Sequence, residues 1–456
     1  MCVVNCFETI GGDVGSQTGA RAAALKVLNR VEGGDAYADI ALDAGLEGLS
    51  GPDTGLTTEL VYGVLRWKIR LDYTIDLFSA IRSKKIEHRV LNALRIGAYQ
   101  LLFLTRVPSR AAINESVELV KPDKRKAGFV NAVLRKIASE KERIALPDPD
   151  KDIIRHITIA CSHPEWIVRR WAARYGTAET IELCRAGQEV PPRTVRVNTL
   201  STSRQRLIEE LKESGYDVEE TRYSPDGIEV RGGGALAAKD PRYYIQDEAS
   251  QLVSLLLSPM PGESLLDACS APGGKTTHLA QLMGNRGAIY ALDKHEARVR
   301  TVAETAARLG AGIIKTFTFD AAGSLDFLEK GSLDAILCDA PCSGLGVLRR
   351  APDARYRRKE EDIAGLQAIQ SRILDNLAGY LKKGGRLVYS TCTFEPEETE
   401  GVVSRFLKKH PDFSLEDVSK YLPQSCSELV DKDGFLRTFP HRHGMDGFFA
   451  ARMRKG

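Results

Sequence analysis

Four short apolar runs in the last half of the chain, separated by stretches of helical spacing, constrain the fold more than any other feature. They are Ser264-Leu265-Leu266-Asp267-Ala268, Ala288-Ile289-Tyr290-Ala291-Leu292-Asp293, Leu333-Asp334-Ala335-Ile336-Leu337 and Arg386-Leu387-Val388-Tyr389-Ser390. Residues 276–283, 296–309 and 363–381 supply the helices between them. Strands alternating with helices build a largely parallel sheet covered on both faces. Residues 241–456 are therefore expected to form an α/β, Rossmann-like domain on a seven-stranded sheet. Ligands of such sheets sit beyond the strand C-termini, near the point where strand order reverses.

At 456 residues the chain exceeds one ordinary core, so further domains are expected upstream. Residues 1–18, with Gly11, Gly12 and Gly15 and little apolar periodicity, read as a flexible tail. From 19 to 145 apolar residues recur at helical spacing, as in Ala22-Ala23-Ala24-Leu25-Lys26-Val27-Leu28 and from Val90 to Leu104, which predicts an all-α domain. That stretch carries 21 Lys plus Arg against 15 Asp plus Glu, while the whole chain has a surplus of only three. The local excess points toward phosphates. Lys121, Lys124, Arg125 and Lys126 cluster around Pro122 at a helix start and are the expected contacts to a nucleic-acid backbone.

Asp148-Pro149-Asp150 marks a break, after which residues 146–240 combine a linker with a small α/β, RRM-like module. Its strands are read at Val195-Arg196-Val197-Asn198 and Gly227-Ile228-Glu229-Val230, and its helix from Ser203 to Ser214. Hydrophobic residues at 43% and charged residues at 27% exclude a disordered or fibrous chain. The absence of an 18-residue apolar run and of a secretory pattern predicts a cytoplasmic protein that avoids membranes. The nine cysteines are scattered and contain no C-x-x-C pair, which argues against a disulfide framework or a zinc site. No heptad repeat calls for more than a monomer.

The first strand runs into Cys269-Ser270-Ala271-Pro272-Gly273-Gly274-Lys275, where glycines allow close backbone approach and a helix start exposes amides to a ligand. A P-loop would need glycine where Cys269 stands, and the dinucleotide pattern Gly-x-Gly-x-x-Gly is absent. Asp293, at the end of the second strand, is placed for ribose hydroxyls. Asp320, closing Phe317-Thr318-Phe319-Asp320, is placed for an adenine amine. Acids after successive strands, with a glycine-rich first loop, fit S-adenosylmethionine.

Two further strand ends carry thiols. Leu337-Cys338-Asp339-Ala340-Pro341-Cys342-Ser343-Gly344 closes one and Tyr389-Ser390-Thr391-Cys392-Thr393 the next, so Cys342 and Cys392 should share one edge of the sheet. Carbon 5 of cytosine is a poor nucleophile and needs a thiolate on carbon 6 before it attacks a methyl donor. Cys338 lies on the strand itself and reads as packing. Asp339 is placed to hold the cytosine N4 or N3 edge, and Lys275 to favour a thiolate.

The pieces Ala271-Pro272-Gly273-Gly274-Lys275-Thr276, Asp339-Ala340-Pro341-Cys342-Ser343-Gly344, Ser390-Thr391-Cys392-Thr393-Phe394-Glu395-Pro396-Glu397-Glu398 and Asp446-Gly447-Phe448-Phe449-Ala450 resemble the Nol1/Nop2/Sun family of RNA cytosine-C5 methyltransferases. The resemblance implies that Cys392 is the nucleophile and that Cys342 assists product release. It also implies cofactor contacts from Cys269 through Lys275 and at Asp293, Asp320 and Asp339. Arg95-Ile96-Gly97-Ala98-Tyr99-Gln100-Leu101 and Ala127-Gly128-Phe129-Val130-Asn131-Ala132-Val133-Leu134-Arg135 resemble the NusB-like RNA-binding domain. Together these are similar to the Sun/Fmu (RsmB) branch, which implies small-subunit 16S ribosomal RNA as substrate.

Arg349, Arg350, Arg355, Arg357, Arg358 and Lys359, with Tyr356 among them, read as a phosphate and base contact for the splayed nucleotide. His441 and His443 lack companion ligands, so no metal is expected. Three other readings compete: methylation of another RNA such as tRNA, a DNA cytosine methyltransferase using Cys342 as nucleophile, and a non-catalytic RNA-binding assembly factor.

Overall fold

The computed structural model describes residues 18–456 apart from Asp35, Ser50 and Ala235, so the expected tail lies outside the described residues except for Thr18. The chain divides into two compact units. One comprises the described residues up to Val190 together with Leu348–Arg357, and the other comprises the described residues of Pro191–Val347 and Arg358–Gly456.

The first unit is helical: Thr18–Glu32, Ala38–Gly45, Gly51–Phe78, His88–Phe103, Ser109–Glu118 and Lys124–Glu140, followed by Ile153–Ala160, Glu165–Tyr175 and Thr177–Ala186. Apolar faces converge on a core that includes Leu28, Leu60, Leu71, Leu94, Leu134 and Ile137. Helix His88–Phe103 runs through this core and takes Asn92, Arg95 and Gln100 with it. Arg95 is buried, with Nε and Nη2 on the two oxygens of Asp72 at 2.6 and 2.7 Å and Nη1 on Glu32 at 2.6 Å. A buried guanidinium demands carboxylates on more than one side, and these helices supply them. The helices from Ile153 to Ala186, which follow the boundary expected at 145, pack in the same compact unit as those before it. The Asp148-Pro149-Asp150 break is only a turn, and Asp152 caps the helix after it by accepting from Arg155 N at 2.9 Å.

The second unit contains two sheets. β1 (Arg193–Val197), β2 (Asp217–Glu220), β3 (Gly227–Arg231) and β4 (Tyr243–Ile245) form an antiparallel sheet in the order β2-β3-β1-β4. Helix Arg204–Glu213 covers it with Leu207, Ile208 and Leu211, and Ser203 caps that helix at Arg206 N. β4 lies beyond residue 240, so the small module reaches further than its composition indicated.

The large sheet follows. β5 (Ser264–Asp267), β6 (Ala288–Asp293), β7 (Ile314–Thr318), β8 (Leu333–Asp339) and β9 (Leu381–Thr391) are parallel, while β10 (Phe413–Glu416) and β12 (Phe449–Lys455) are antiparallel. The order is β10-β12-β9-β8-β5-β6-β7, and the two-residue β11 (Leu436–Arg437) pairs with β12. Successive side chains point to opposite faces, and both faces are buried. Leu266, Leu292, Ile336, Leu387 and Tyr389 pack on one side with Ile373 and Phe406. Leu265, Ile289, Ala335, Leu337 and Val388 pack on the other with Leu252 and Leu279. β6 and β7 extend the sheet one way from β5, and β8 and β9 extend it the other way. The reversal therefore falls between β5 and β8, which is where the expected site residues cluster.

The Glu32–Arg95–Asp72 network sets a pH dependence. Burial opposes charge on Glu32, but Arg95 and Lys68 outweigh it and pull its carboxyl down to about 2. A depressed carboxyl stabilises the fold above its unfolded value, and that stability is lost as pH falls from the ordinary carboxylate range toward 2. Arg95→Leu should cost about 3 kcal/mol in chemical denaturation at neutral pH and should flatten the acid limb of thermal unfolding between about pH 4.5 and 2.

Candidate active site

The turns after β8 and β9 lock into each other and into the residues before β12. Gly346 N donates to Cys392 O at 2.9 Å, Gly447 N to Gly346 O at 2.9 Å, and Ala340 N to Ser390 O at 2.9 Å. A Cβ at Gly346 would overlap the Gly447 carbonyl and lie 2.9 Å from Cys392 O, so only glycine permits this approach. Ser343 Oγ and Thr393 Oγ1, 2.8 Å apart, join the same two turns.

This interlock places the Cys342 and Cys392 sulfurs 3.2 Å apart, both partly exposed. The Cys342 thiol is pushed well above its ordinary value, first by its hydrogen bond with Cys392, then by burial and by the negative groups Glu398 and Asp339. Cys338 is fully buried and held up by its hydrogen bond with Cys269 and by burial, so it packs against the cofactor loop and takes no part at the surface. Beside the thiols, Lys275 Nζ lies 2.6 Å from Asp339 Oδ2, and Ser390 Oγ donates to Asp339 Oδ1 at 2.7 Å. Burial opposes the ammonium of Lys275, but Asp339 and Cys392 raise it, so this lysine stays charged. The Phe448 ring lies 5.1 Å from its Nζ and shields one side.

Below this pair, Asp267 ends β5. It is buried, accepts from Thr276 Oγ1 at 2.7 Å, and has a second oxygen without a partner. Burial pushes its carboxyl up to about 7, with Asp339 adding to the effect. The loop Cys269, Ser270, Ala271, Pro272, Gly273 leads into helix Gly274–Leu282. Gly273 has φ +105, in the region that side chains avoid, and a Cβ on Gly274 would meet the Tyr244 ring at 2.8 Å. Ser270 fastens the loop to the neighbouring strand, its N and Oγ donating to Leu292 O at 2.7 and 2.8 Å.

The two expected ribose and adenine acids flank this cradle. Asp293 accepts from His295 N at 3.0 Å and is paired with Arg298 Nη1 at 3.2 Å. Arg298 also donates to Ala271 O at 3.3 Å, so one guanidinium links the acid to the loop. Asp320 is exposed and uses one oxygen for Ala322 N at 2.9 Å. A bare glycine cradle with loop amides and two separated carboxylates suits a ligand that carries both a diol and an amine.

The basic run is a partial correction. Arg355 is fully buried and its guanidinium is spent on Ser162 O at 3.1 Å, Gly187 O at 3.0 Å and Leu348 O at 3.2 Å. Arg357 is held by Ala36 O and by Asp353 at 3.2 Å, and it lies over Tyr37. Arg349 is buried, and its carbonyl accepts from Arg66. Burying a guanidinium requires such acceptors, so Arg355 is spent inside the helical unit, Arg357 is held there by Ala36 and Asp353, and Arg349 is buried in the same unit. Arg350 is half-buried. Arg358, by contrast, reaches the thiol turn, donating to Cys342 O at 3.4 Å and Ser343 O at 3.3 Å.

Lys121, Lys124 and Arg125 are exposed at the head of helix Lys124–Glu140, which Asp123 caps. Lys126 is paired with Glu87 at 2.5 Å. His443 accepts from Phe439 N at 2.9 Å within the short helix Pro440–His443. Sequence reasoning passed over Glu398, Gln370 and Ser390 as participants. They are single polar residues on or beside regular elements and leave no periodic trace.

Comparison with known proteins adds the following. A family model described as 16S rRNA methyltransferase RsmB/F matches residues 254–454, the NusB family matches 18–139, and an RsmF/B-like ferredoxin-like domain matches 163–237. The probable ribosomal RNA small subunit methyltransferase B of Bacillus subtilis (strain 168) is 40% identical over 96% of this chain and 99% of its own. The ribosomal RNA small subunit methyltransferase B of Photorhabdus laumondii is 33% identical over 95% of this chain and 98% of its own. The crystal structure of NSun6 from Pyrococcus horikoshii with SFG superposes with a TM-score of 0.57 at 26% identity, covering 64% of this chain and 98% of that one. Among the described residues, no helix is long and apolar enough to cross a membrane.

The two sulfurs are close enough to join with a small change of rotamer. Diamide should couple Cys342 to Cys392, detected by peptide mapping and reversed by dithiothreitol. Cys426, buried with its sulfur on Tyr223 O, should remain free.

Proposed function

We propose, from the premise that this chain belongs to the 16S rRNA methyltransferase RsmB/F family, that it methylates carbon 5 of a cytosine in small-subunit ribosomal RNA using S-adenosylmethionine. In this reading Cys392 is the nucleophile and Cys342 the release group, and the reaction takes place in the cytoplasm. The observation that carries it is the 3.2 Å approach of two thiols beside the Lys275–Asp339 pair.

The chain's residues would divide the work as follows. Backbone amides from Cys269 to Lys275 cradle the cofactor, Asp293 takes its ribose hydroxyls and Asp320 its adenine amine. When bound there, S-adenosylmethionine supplies an electrophilic methyl group. Asp339 accepts the cytosine N4 amine, and with Lys275 it delivers a proton to N3 as charge develops on the ring. The Cys392 thiolate adds to carbon 6, and its new C–S bond pushes the carbon 5–carbon 6 electron pair toward that proton. Carbon 5 is then enamine-like and would displace the methyl group from the sulfonium, whose S–CH3 electron pair stays on sulfur as neutral S-adenosylhomocysteine.

Release runs the other way. Cys342, as thiolate, removes the remaining carbon 5 proton. The carbon 5–carbon 6 double bond re-forms, and the C–S electron pair returns to Cys392. The extra N3 proton goes back to the Asp339–Lys275 pair. Cys342 ionises more readily at this stage than at rest, because Cys392 is then a thioether and no longer opposes it.

The test is methyl transfer from labelled cofactor to unmodified 16S ribosomal RNA, with bisulfite sequencing to find the base. Cys392→Ala should reduce transfer by at least on the order of 10³-fold, the scale expected when a covalent nucleophile is removed. Cys342→Ala should instead trap a protein–RNA complex that survives denaturation. If Cys392→Ala remains active and Cys342→Ala is dead, the roles are those of a DNA-type enzyme and the assignment fails. Absence of any transfer would leave the assembly-factor reading.

A further inference from the structure

Two thiols 3.2 Å apart are chemically interchangeable unless their surroundings differ. The difference lies at the turn that carries Cys342. Both peptide groups flanking this cysteine are held from beneath by fully buried side chains. Ser343 N donates to Glu398 Oε1 at 2.9 Å, and Gln370 Nε2, from helix Asp362–Leu377, donates to Pro341 O at 2.9 Å. The same Gln370 nitrogen donates to Glu398 Oε1 at 2.9 Å, which closes the clamp. Glu398 is held in turn at its own carbonyl by Tyr389 OH at 2.6 Å.

A neutral acceptor would satisfy Ser343 N as well as a carboxyl does. Glu398 is fully buried and forms no ion pair among the described residues, so its burial is costly and positioning alone does not explain it. Burial raises its own carboxyl, and it acts on Cys342 in the same sense as Asp339. The groups that face Cys342 are Cys392, Asp339, Glu398 and Tyr389, with Arg358 on the turn's carbonyls. Lys275 compensates Asp339. Glu398 is therefore the negative group near Cys342 that lacks a cation of its own.

We propose that Glu398, clamped by Gln370, is a positioning residue that fixes the Cys342 turn and reserves that thiol for product release, leaving Cys392 as the nucleophile. This rests on the covalent mechanism above.

The test uses the full-length protein, S-adenosylmethionine and a 16S ribosomal RNA substrate, with Cys342→Ala as the internal standard for a trapped complex. Glu398→Ala should lower multiple-turnover methylation about tenfold more than single-turnover methyl transfer, and a denaturation-resistant complex should accumulate. Glu398→Gln keeps an acceptor for Ser343 N and Gln370 and should restore most of the turnover. Without the carboxyl, Cys342 ionises more easily, so the pH profile of release in Glu398→Gln should move to lower pH.

If Glu398→Ala does not fold, Gln370→Met serves in its place and should show the same split at smaller size. The inference is overturned if Cys342→Ala traps the complex while the clamp variants do not, or if transfer and release fall by the same factor. Failure of the wild-type protein and of Cys342→Ala to form any complex would instead count against the covalent mechanism itself.

Discussion

A single peptide bond contact, Gly346 N to Cys392 O, ties the loop after β8 to the loop after β9, and the candidate site is arranged around it. Parallel strands bring their C-termini to one side of a sheet, but loops of this length can splay by several ångströms. Here they cannot. Gly346 lies against the Gly447 carbonyl, so the segment before β12 closes over both turns, and the Ser343–Thr393 hydroxyl pair adds a second bridge. The distance between the sulfurs is thus set by backbone packing, and the two cysteine side chains need only choose rotamers.

The same economy governs the charges. Lys275 leaves the cofactor helix at its first turn and meets Asp339 from the end of β8, so the ion pair spans the switch point between β5 and β8. Behind the cradle, Arg196 of β1 is fully buried and donates to Gly274 O and to Thr277 Oγ1 at 3.0 Å. Burial pulls its guanidinium down to about 9, a measure of how little anionic compensation surrounds it. Its carbonyl and hydroxyl partners fix the first turn of the helix that presents the glycine amides. The small sheet therefore braces the glycine loop through the buried Arg196.

Much of this was legible in the sequence because sheets buried on both faces leave unbroken apolar runs, and polar residues that end such runs fall on one edge. That logic placed Lys275, Asp293, Asp339, Cys342 and Cys392 together without reference to coordinates. It read β1 and β3 but not β2, whose pattern has Val218 as its one buried residue. It also took the run from Arg349 to Lys359 as one charged surface. Sequence records that a residue is cationic, not whether backbone carbonyls surround it, and Arg355 with Ser162 and Gly187 shows how different the two cases are. Glu398 and Gln370 escaped notice for a related reason, since their partners are the peptide groups of a turn, and no residue identity announces them.

The buried carboxyls explain why the site can be both stable and reactive. Asp267 and Asp339 approach the single ammonium of Lys275, and Asp339 has the direct contact. Asp267 accepts from the Thr276 hydroxyl, and its carboxyl is pushed up to about 7, so it is only partly ionised near neutral pH. A carboxyl raised on folding costs stability as pH rises from the ordinary carboxylate range through that value, because the unfolded chain gives up its proton first. A further positive charge beside the loop, such as a cationic ligand would bring, would lower that cost. Charge on the ligand and charge on the floor of the site would then stabilise each other, so affinity for a cationic cofactor would come with discrimination against its neutral product.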